Sequence, residues 1–215
     1  MKNETLSLNK VSSYLKQRLT QTLPGSAAHE LMRAQPVGNL RPAFKNEDPP
    51  KPGGVLILLY EAEGRIKFPL IKRPEYAGTH GGQVSFPGGK AEQGEDRVIA
   101  ALREGEEEIG IRRELVRVIG RLTDFHVIPS NFLVTPVIGI LEREAEFVPD
   151  AVEVARIIPV ALDDLIKENA LLNGEITVGG VYRLNAPHFL IDGEMVWGAT
   201  AMILNEFRSI LNEMD

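Results

Sequence analysis

The sequence predicts an α+β fold in which a mixed β-sheet lies between helical layers. Three observations carry this. Apolar strand candidates come in consecutive runs instead of alternating strictly with helices. Helix-period segments stand near both ends of the chain and once in its middle. The 215 residues, 43% of them apolar, are enough for one well-filled core.

Leu8, Val11, Leu15 and Leu19 recur at helical spacing and predict an amphipathic helix over 7–20. From Pro24 to Gly54 the chain becomes rich in Pro and Gly, ending in Asp48-Pro49-Pro50-Lys51-Pro52-Gly53-Gly54, which reads as an extended arm. Val55–Tyr60 and Phe68–Ile71 predict two strands joined by a turn around Glu63-Gly64. A Gly-rich loop from Pro74 to Gly94 follows, then a helix from about Asp96 to Ile109. Val116–Ile119, Val134–Leu141 and Arg156–Ile158 are further strand candidates, the last leading into a helix near Ala161. Tyr182–Leu184 and His188–Ile191 read as a hairpin, and Ile203, Phe207, Ile210 and Leu211 share one face of a terminal helix.

Composition excludes several chemistries. There is no cysteine, hence no disulfide, thiolate metal site or cysteine nucleophile. The net charge is −6 without a dense Lys/Arg cluster, so no nucleic-acid partner held by phosphate neutralisation is expected. The most apolar stretch, Asn131 to Leu141, is too short to span a bilayer, and the first residues lead into no signal-peptide core. A cytoplasmic protein with no membrane partner is the expectation. No Gly-x4-Gly-Lys-Ser/Thr loop, dinucleotide fingerprint or nucleophile elbow occurs.

The informative segment runs from Gly88-Gly89 through Glu95 to Arg103-Glu104-Gly105-Glu106-Glu107-Glu108-Ile109-Gly110-Ile111. With Glu104 at 0° on a helical wheel, Glu108 falls near 40° and Glu107 near −60°, so three carboxylates share an arc of about 100°. Val98, Leu102, Gly105 and Ile109 form a packing face beside it, between about 100° and 160°. Carboxylates held that close repel one another unless something positive sits among them, and hard oxygen ligands on a rigid element suit Mg²⁺ or Mn²⁺. Three glutamates alone would describe a solvated helix face. The spacing adds what they lack: Gly89, five residues, Glu95, seven residues, Arg103-Glu104, then Glu107-Glu108, Gly110 and Ile111.

This run resembles the signature of the Nudix hydrolase family, with Gly105 standing where the family prefers an aliphatic or another small side chain. The resemblance implies a Nudix-type α/β/α sandwich over 51–215, preceded by the helix and arm of 1–50. It implies that Glu104 and Glu108 ligate the metal, that Glu107 ligates it or positions water, and that Glu95 and Arg103 support them. The backbone of Gly88 and Gly89 would lie against metal or phosphate. The general base is not fixed by the signature: Glu107, Glu144, Glu146 and Glu153 are candidates, with Glu153 favoured.

Upstream, Arg73, Gly82 and Phe86-Pro87-Gly88-Gly89 resemble the loop of the coenzyme A diphosphatase branch of that family, as do His80, Gln83 and Val84. Arg73, His80, Gln83, Phe86, Gly88 and Gly89 are therefore the expected substrate-contacting set. Pro69-Leu70-Ile71, Pro74 and Gly78 depart from the branch, the last replacing an Arg. The implied reaction splits coenzyme A into a phosphopantetheine and an adenosine bisphosphate. Hydrolysis of another nucleoside diphosphate derivative (ADP-ribose, a nucleotide sugar or a dinucleotide) remains open, as does a catalytically silent nucleotide-binding module. The arm raises the expectation of a homodimer.

Overall fold

The computed structural model describes residues 7–40, 44, 46–75 and 81–214. Helix α1 (Leu8–Arg18) starts on Ser7, whose side chain accepts from Lys10 N, and buries Leu8, Val11 and Leu15. The arm is not simply extended. It forms a short helix α2 (Gly25–Glu30) and a two-residue strand β1 (Gln35–Pro36), because Ala28 and Met32, one turn apart, both have an apolar surface to cover. The arm packs on its own chain: Asn205 Nδ2 donates to Ala28 O at 2.8 Å, and His29 Nε2 lies 2.9 Å from Glu206 Oε2.

Strands β2 (Lys51–Ala62) and β3 (Arg65–Lys72) form the expected hairpin, turning through Glu63 and Gly64 at positive φ. Short strands β4 (Val84–Ser85) and β5 (Gly88–Lys90) lie within the Gly-rich loop, followed by helix α3 (Arg97–Ile109). Then come β6 (Val116–Arg121), β7 (Phe125–Val127), β8 (Phe132–Leu141), β9 (Arg156–Ala161) and the single turn α4 (Leu162–Leu165). The main sheet runs β4-β3-β2-β8-β6, with β5 on β2, β7 on β8 and β9 on β3. Among the described strands of this sheet only β2 and β8 run parallel, Lys51 opposite Phe132 through Tyr60 opposite Leu141, so the sheet is mixed as expected.

The alternation along β2 explains the layers. Leu56, Leu58 and Tyr60 face α3 and pack with Ala101 and Ile109. Ile57 and Leu59 face the opposite core, shared with Val11 and Leu15 of α1 and with Leu204 and Phe207 of helix α5 (Gly198–Leu211). No helix among the described residues is long and apolar enough to cross a membrane.

The C-terminal sheet corrects one reading. Tyr182–Leu184 and His188–Ile191 are not the two arms of a hairpin but parts of one strand, β11 (Tyr182–Ile191). Its partners are β1, β10 (Leu171–Val178), which has no clear strand pattern, and β12 (Glu194–Val196). Asn185-Ala186-Pro187 has the composition of a turn. Pro187, however, stands between the residues paired with β1 and those paired with β12, where the second edge of β11 is uncovered and a missing N–H is tolerated.

Candidate active site

Helix α3 is defined by its ends. The Asp96 side chain accepts from Val98 N at 2.7 Å, and Gly110, in the left-handed region at φ 72°, stops the helix with its N–H on Glu106 O. Gly105 and Ile109 are buried against the sheet as the wheel requires, with Val98 and Leu102 partly buried beside them. Glu108 departs from the wheel's picture of an acidic face beside the packing face: its side chain is only 1% exposed.

Two structures hold the glutamates. The first is a guanidinium. Arg103 clamps Glu95 through Nε and Nη2 at 3.0 and 3.1 Å, and reaches Glu104 and Glu107 through Nη1 at 3.0 and 2.8 Å. Its Nη2 also donates to Lys90 O at 3.0 Å, tying the helix to β5. The hydrogen bonds from Arg103 hold the Glu95 carboxyl below its ordinary value, with Glu92 N–H adding to them. Glu104 goes the other way, because burial outweighs Arg103 and because Glu107 and Glu153 are near.

The second is the Gly-rich loop. Gly88 N donates to Glu108 Oε2 at 2.7 Å, and Arg73 Nη2 stands 3.3 Å from Oε1 and 3.4 Å from Gly88 O. Burial pushes the Glu108 carboxyl up to about 7; Gly88 and Arg73 pull against this, while Glu104 and Glu153 add to it. Glycine is needed here. A Cβ on Gly88, at φ 151°, would overlap the backbone of Gly54 and Val55, and one on Gly89 would fall on the Glu104 carboxylate.

Among the described residues no three carboxylates converge on one point, because Arg103 occupies the space between Glu95, Glu104 and Glu107. The donor set nonetheless fits a hard divalent cation. It offers carboxylate oxygens from Glu104, Glu107 and Glu108 on one rigid helix, and the positive charge they require is already represented by a guanidinium.

The other expected site residues fall as follows. Gln83 lies in the loop with its carbonyl accepting from Arg73 N at 3.0 Å. Phe86 is a correction: its ring is 1% exposed and packs on Phe68 in the core, so it shapes the loop from behind and offers no surface to a substrate. His80 and Gly78 lie outside the described residues. Glu153 sits on an exposed turn between β8 and β9, where its charge acts on both Glu104 and Glu108. Glu144, another candidate base, lines a cavity of about 840 Å³ with Tyr60 and Phe147, toward the far end of β2. Asp150, not anticipated from the sequence, caps the turn that carries Glu153: its side chain accepts from Val152 N at 2.8 Å and from Glu153 N at 3.0 Å, and Asp150-Ala151-Val152-Glu153 has the capping pattern of an acceptor with a glutamate three residues on.

The chain belongs to the NUDIX domain family, whose family model matches residues 50–173. It is 36% identical over 185 residues to "Nudix hydrolase 15, mitochondrial" of Arabidopsis thaliana, covering 81% of this chain and 64% of that protein. It is 32% identical over 174 residues to "Nudix hydrolase 3" of Caenorhabditis elegans, covering 74% of this chain and 72% of that one. The chain thus spans just under two thirds of the plant relative's length. Among solved structures, a C. elegans Ap4A hydrolase binary complex superimposes with a TM-score of 0.51 at 18% identity, over 76% of this chain and 98% of that one, which shows the fold.

Proposed function

We propose that the chain is a divalent-metal-dependent diphosphatase acting on coenzyme A or its derivatives, releasing a phosphopantetheine and an adenosine bisphosphate. The observation that carries the hydrolytic reading is the array of Glu95, Glu104, Glu107 and Glu108 organised by Arg103 and by the backbone of Gly88. Glu104, Glu107 and Glu108 would hold Mg²⁺ or Mn²⁺, which supplies polarisation of the phosphoryl oxygens and neutralises charge as it develops. Support for coenzyme A comes from Arg73, Gly82 and Phe86 to Gly89, which match the loop of that branch.

The chain's own residues divide the remaining work. Arg103 keeps Glu95 and Glu104 in register and prevents their mutual repulsion from spreading the face. Arg73, one quarter exposed beside Glu108, offers a cation to a diphosphate oxygen. Glu153 takes a proton from the attacking water as the water oxygen bonds to one phosphorus and the bridging P–O bond breaks, the electron pair leaving with the other phosphate.

Gly78 favours a second reading, hydrolysis of another nucleoside diphosphate derivative, since the branch has an Arg there. One experiment separates the two. The protein is incubated with coenzyme A, ADP-ribose or NADH and Mg²⁺ or Mn²⁺, with and without EDTA, and products are identified by mass. EDTA-sensitive release of phosphopantetheine and adenosine bisphosphate supports the first reading. Cleavage of ADP-ribose or NADH without cleavage of coenzyme A replaces it with the second.

A further inference from the structure

Glu153 lies near enough to the acidic face for its charge to act on Glu104 and Glu108, on a segment without regular secondary structure whose backbone is fixed at both ends. The connection between β8 and β9 docks on the end of α3: Val148 N donates to Ile109 O and Asp150 N to Glu108 O, both at 3.0 Å. These carbonyls belong to the last turn, where the helix itself supplies no partner. The chain then makes a single turn. Asp150 Oδ1 accepts from Val152 N at 2.8 Å and from Glu153 N at 3.0 Å, and Asp150 O accepts from Val154 N at 2.9 Å. Beyond it, Val154 is buried on the α3 side of the sheet and Ala155 N donates to Lys72 O at 2.9 Å. The turn that carries Glu153 is therefore tied to the backbone of Glu108 at one end. At the other it is tied to the residue preceding Arg73, the partner of Glu108.

We infer that Asp150 is a positioning residue: its side-chain oxygen, by holding the N–H groups of Val152 and Glu153, fixes the Glu153 carboxylate at the Glu104–Glu108 face to receive the proton of the attacking water. This rests on the proposal that the face hydrolyses a diphosphate with Glu153 as base. The role calls for an acceptor oxygen and not for a charge. Asp150 itself is exposed, its backbone N–H is held by Glu108 O, and its side-chain oxygen is engaged by Val152 N and Glu153 N. Without the two hydrogen bonds the turn keeps its backbone ties to Glu108 and Lys72, but the N–H groups of Val152 and Glu153 lose their acceptor, and Glu153, also exposed, is held less closely. Its carboxylate is then dispersed over several rotamers at the moment of reaction.

The test compares Asp150→Ala, Asp150→Asn, Glu153→Gln and the double variant Asp150→Ala/Glu153→Gln, with Asp150→Gly as a second acceptor-free form. The readouts are kcat and KM on the cleaved diphosphate, Mn²⁺ affinity by calorimetry, melting temperature, and amide hydrogen exchange at Val152 and Glu153 in metal-free protein. Glu153→Gln should lower kcat about 100-fold or more. Asp150→Ala should lower it about 10- to 100-fold with KM within about threefold. Asn, which keeps the acceptor, should restore kcat, and the double variant should be no slower than Glu153→Gln alone. Exchange at both amides should accelerate in the Ala and Gly forms and not in Asn, with Mn²⁺ affinity unchanged. Unchanged exchange in the acceptor-free forms overturns the inference whatever the activity. So does an Asn variant as slow as Ala, or a double variant slower than both singles. Wild-type kcat in Glu153→Gln removes the base itself, a separate failure that the exchange data do not share.

Discussion

Gly88 donates its backbone N–H to Glu108 Oε2 at 2.7 Å, so the Gly-rich loop and the acidic helix meet at a buried carboxylate. That relationship decides how Glu108→Gln should behave. A glutamine oxygen can still accept from Gly88, and the shape is conserved. Burial pushes the glutamate carboxyl up to about 7, so in metal-free protein its ionised form is the strained one. Neutral Gln removes that strain. The melting temperature of the metal-free variant at pH 8 should equal or exceed that of the wild type. Mn²⁺ binding should weaken at least tenfold and turnover fall about 100-fold or more. A variant that keeps turnover would show that Glu108 is not a ligand.

The adjacent glycines should separate stability from activity. At Gly88 a Cβ meets the backbone of β2, which cannot move without opening the sheet, so Gly88→Ala should cost about 1–3 kcal/mol. At Gly89 the obstacle is the Glu104 carboxylate, the movable end of a side chain. Gly89→Ala should therefore keep its melting temperature and lose turnover about tenfold or more, because Glu104, a proposed ligand, is displaced. Paired thermal melts and kcat values check this; full turnover in Gly89→Ala would place Glu104 outside the reaction.

Much of this site is readable from spacing because it is built on one helix. Glu104, Glu107, Glu108 and Gly105 are placed by 3.6-residue geometry alone, and Asp96 and Gly110 announce the ends. What spacing cannot give is depth. The wheel puts Glu108 on an acidic face, yet the side chain is buried with Gly88 N on its carboxylate and Asp150 N on its carbonyl, and those contacts are long-range in sequence. Phe86 was misread for the same reason: a residue beside the glycines can point into the site or behind it, and the pairing of Ile71 with Ser85 sends it into the core. Strand β10 escaped because Leu171-Leu172-Asn173-Gly174-Glu175 lacks alternation. Its pairing with β11, and not its own pattern, makes it a strand.

Gly105 offers a test of the packing face. A Cβ there would stand 2.9 Å from Leu56 Cδ2 and 3.2 Å from Ile111 Cδ1, both ends of flexible side chains. Gly105→Ala gains about 1 kcal/mol of helix propensity. The squeeze against Leu56 costs about 1–3 kcal/mol, which leaves a net effect between neutral and about 2 kcal/mol destabilising. Turnover should stay within about twofold of wild type, because the substitution lies on the side away from the carboxylates. Urea denaturation and kcat together decide; a large loss of turnover in a folded variant would mean that the helix shifts along β2 to admit the methyl group.

The pH dependence of stability should be dominated at its acid edge by a carboxylate far from the reaction. Glu206 in α5 is fully buried and accepts four hydrogen bonds: Gly25 N at 3.1 Å, Thr123 N at 3.3 Å, Thr123 Oγ1 at 2.6 Å and His29 Nε2 at 2.9 Å. Burial pushes its carboxyl up, but the bonds from His29 and Thr123, the His29 charge and the Gly25 N–H together outweigh it, and the net direction is below the ordinary 4.5. A carboxyl lowered by folding adds stability that is fully present above the unfolded-state value and drains away as pH falls through the folded-state value. Glu206→Gln places an amide N–H₂ among donors, and at neutral pH it should cost about 3 kcal/mol. The gap from wild type should narrow as the pH is taken down to about 3, where the wild-type carboxyl is itself being protonated. Urea titrations of both proteins across that range measure the gap. If it stays constant with pH, neutral hydrogen bonding and not the charge of Glu206 holds the arm to α5.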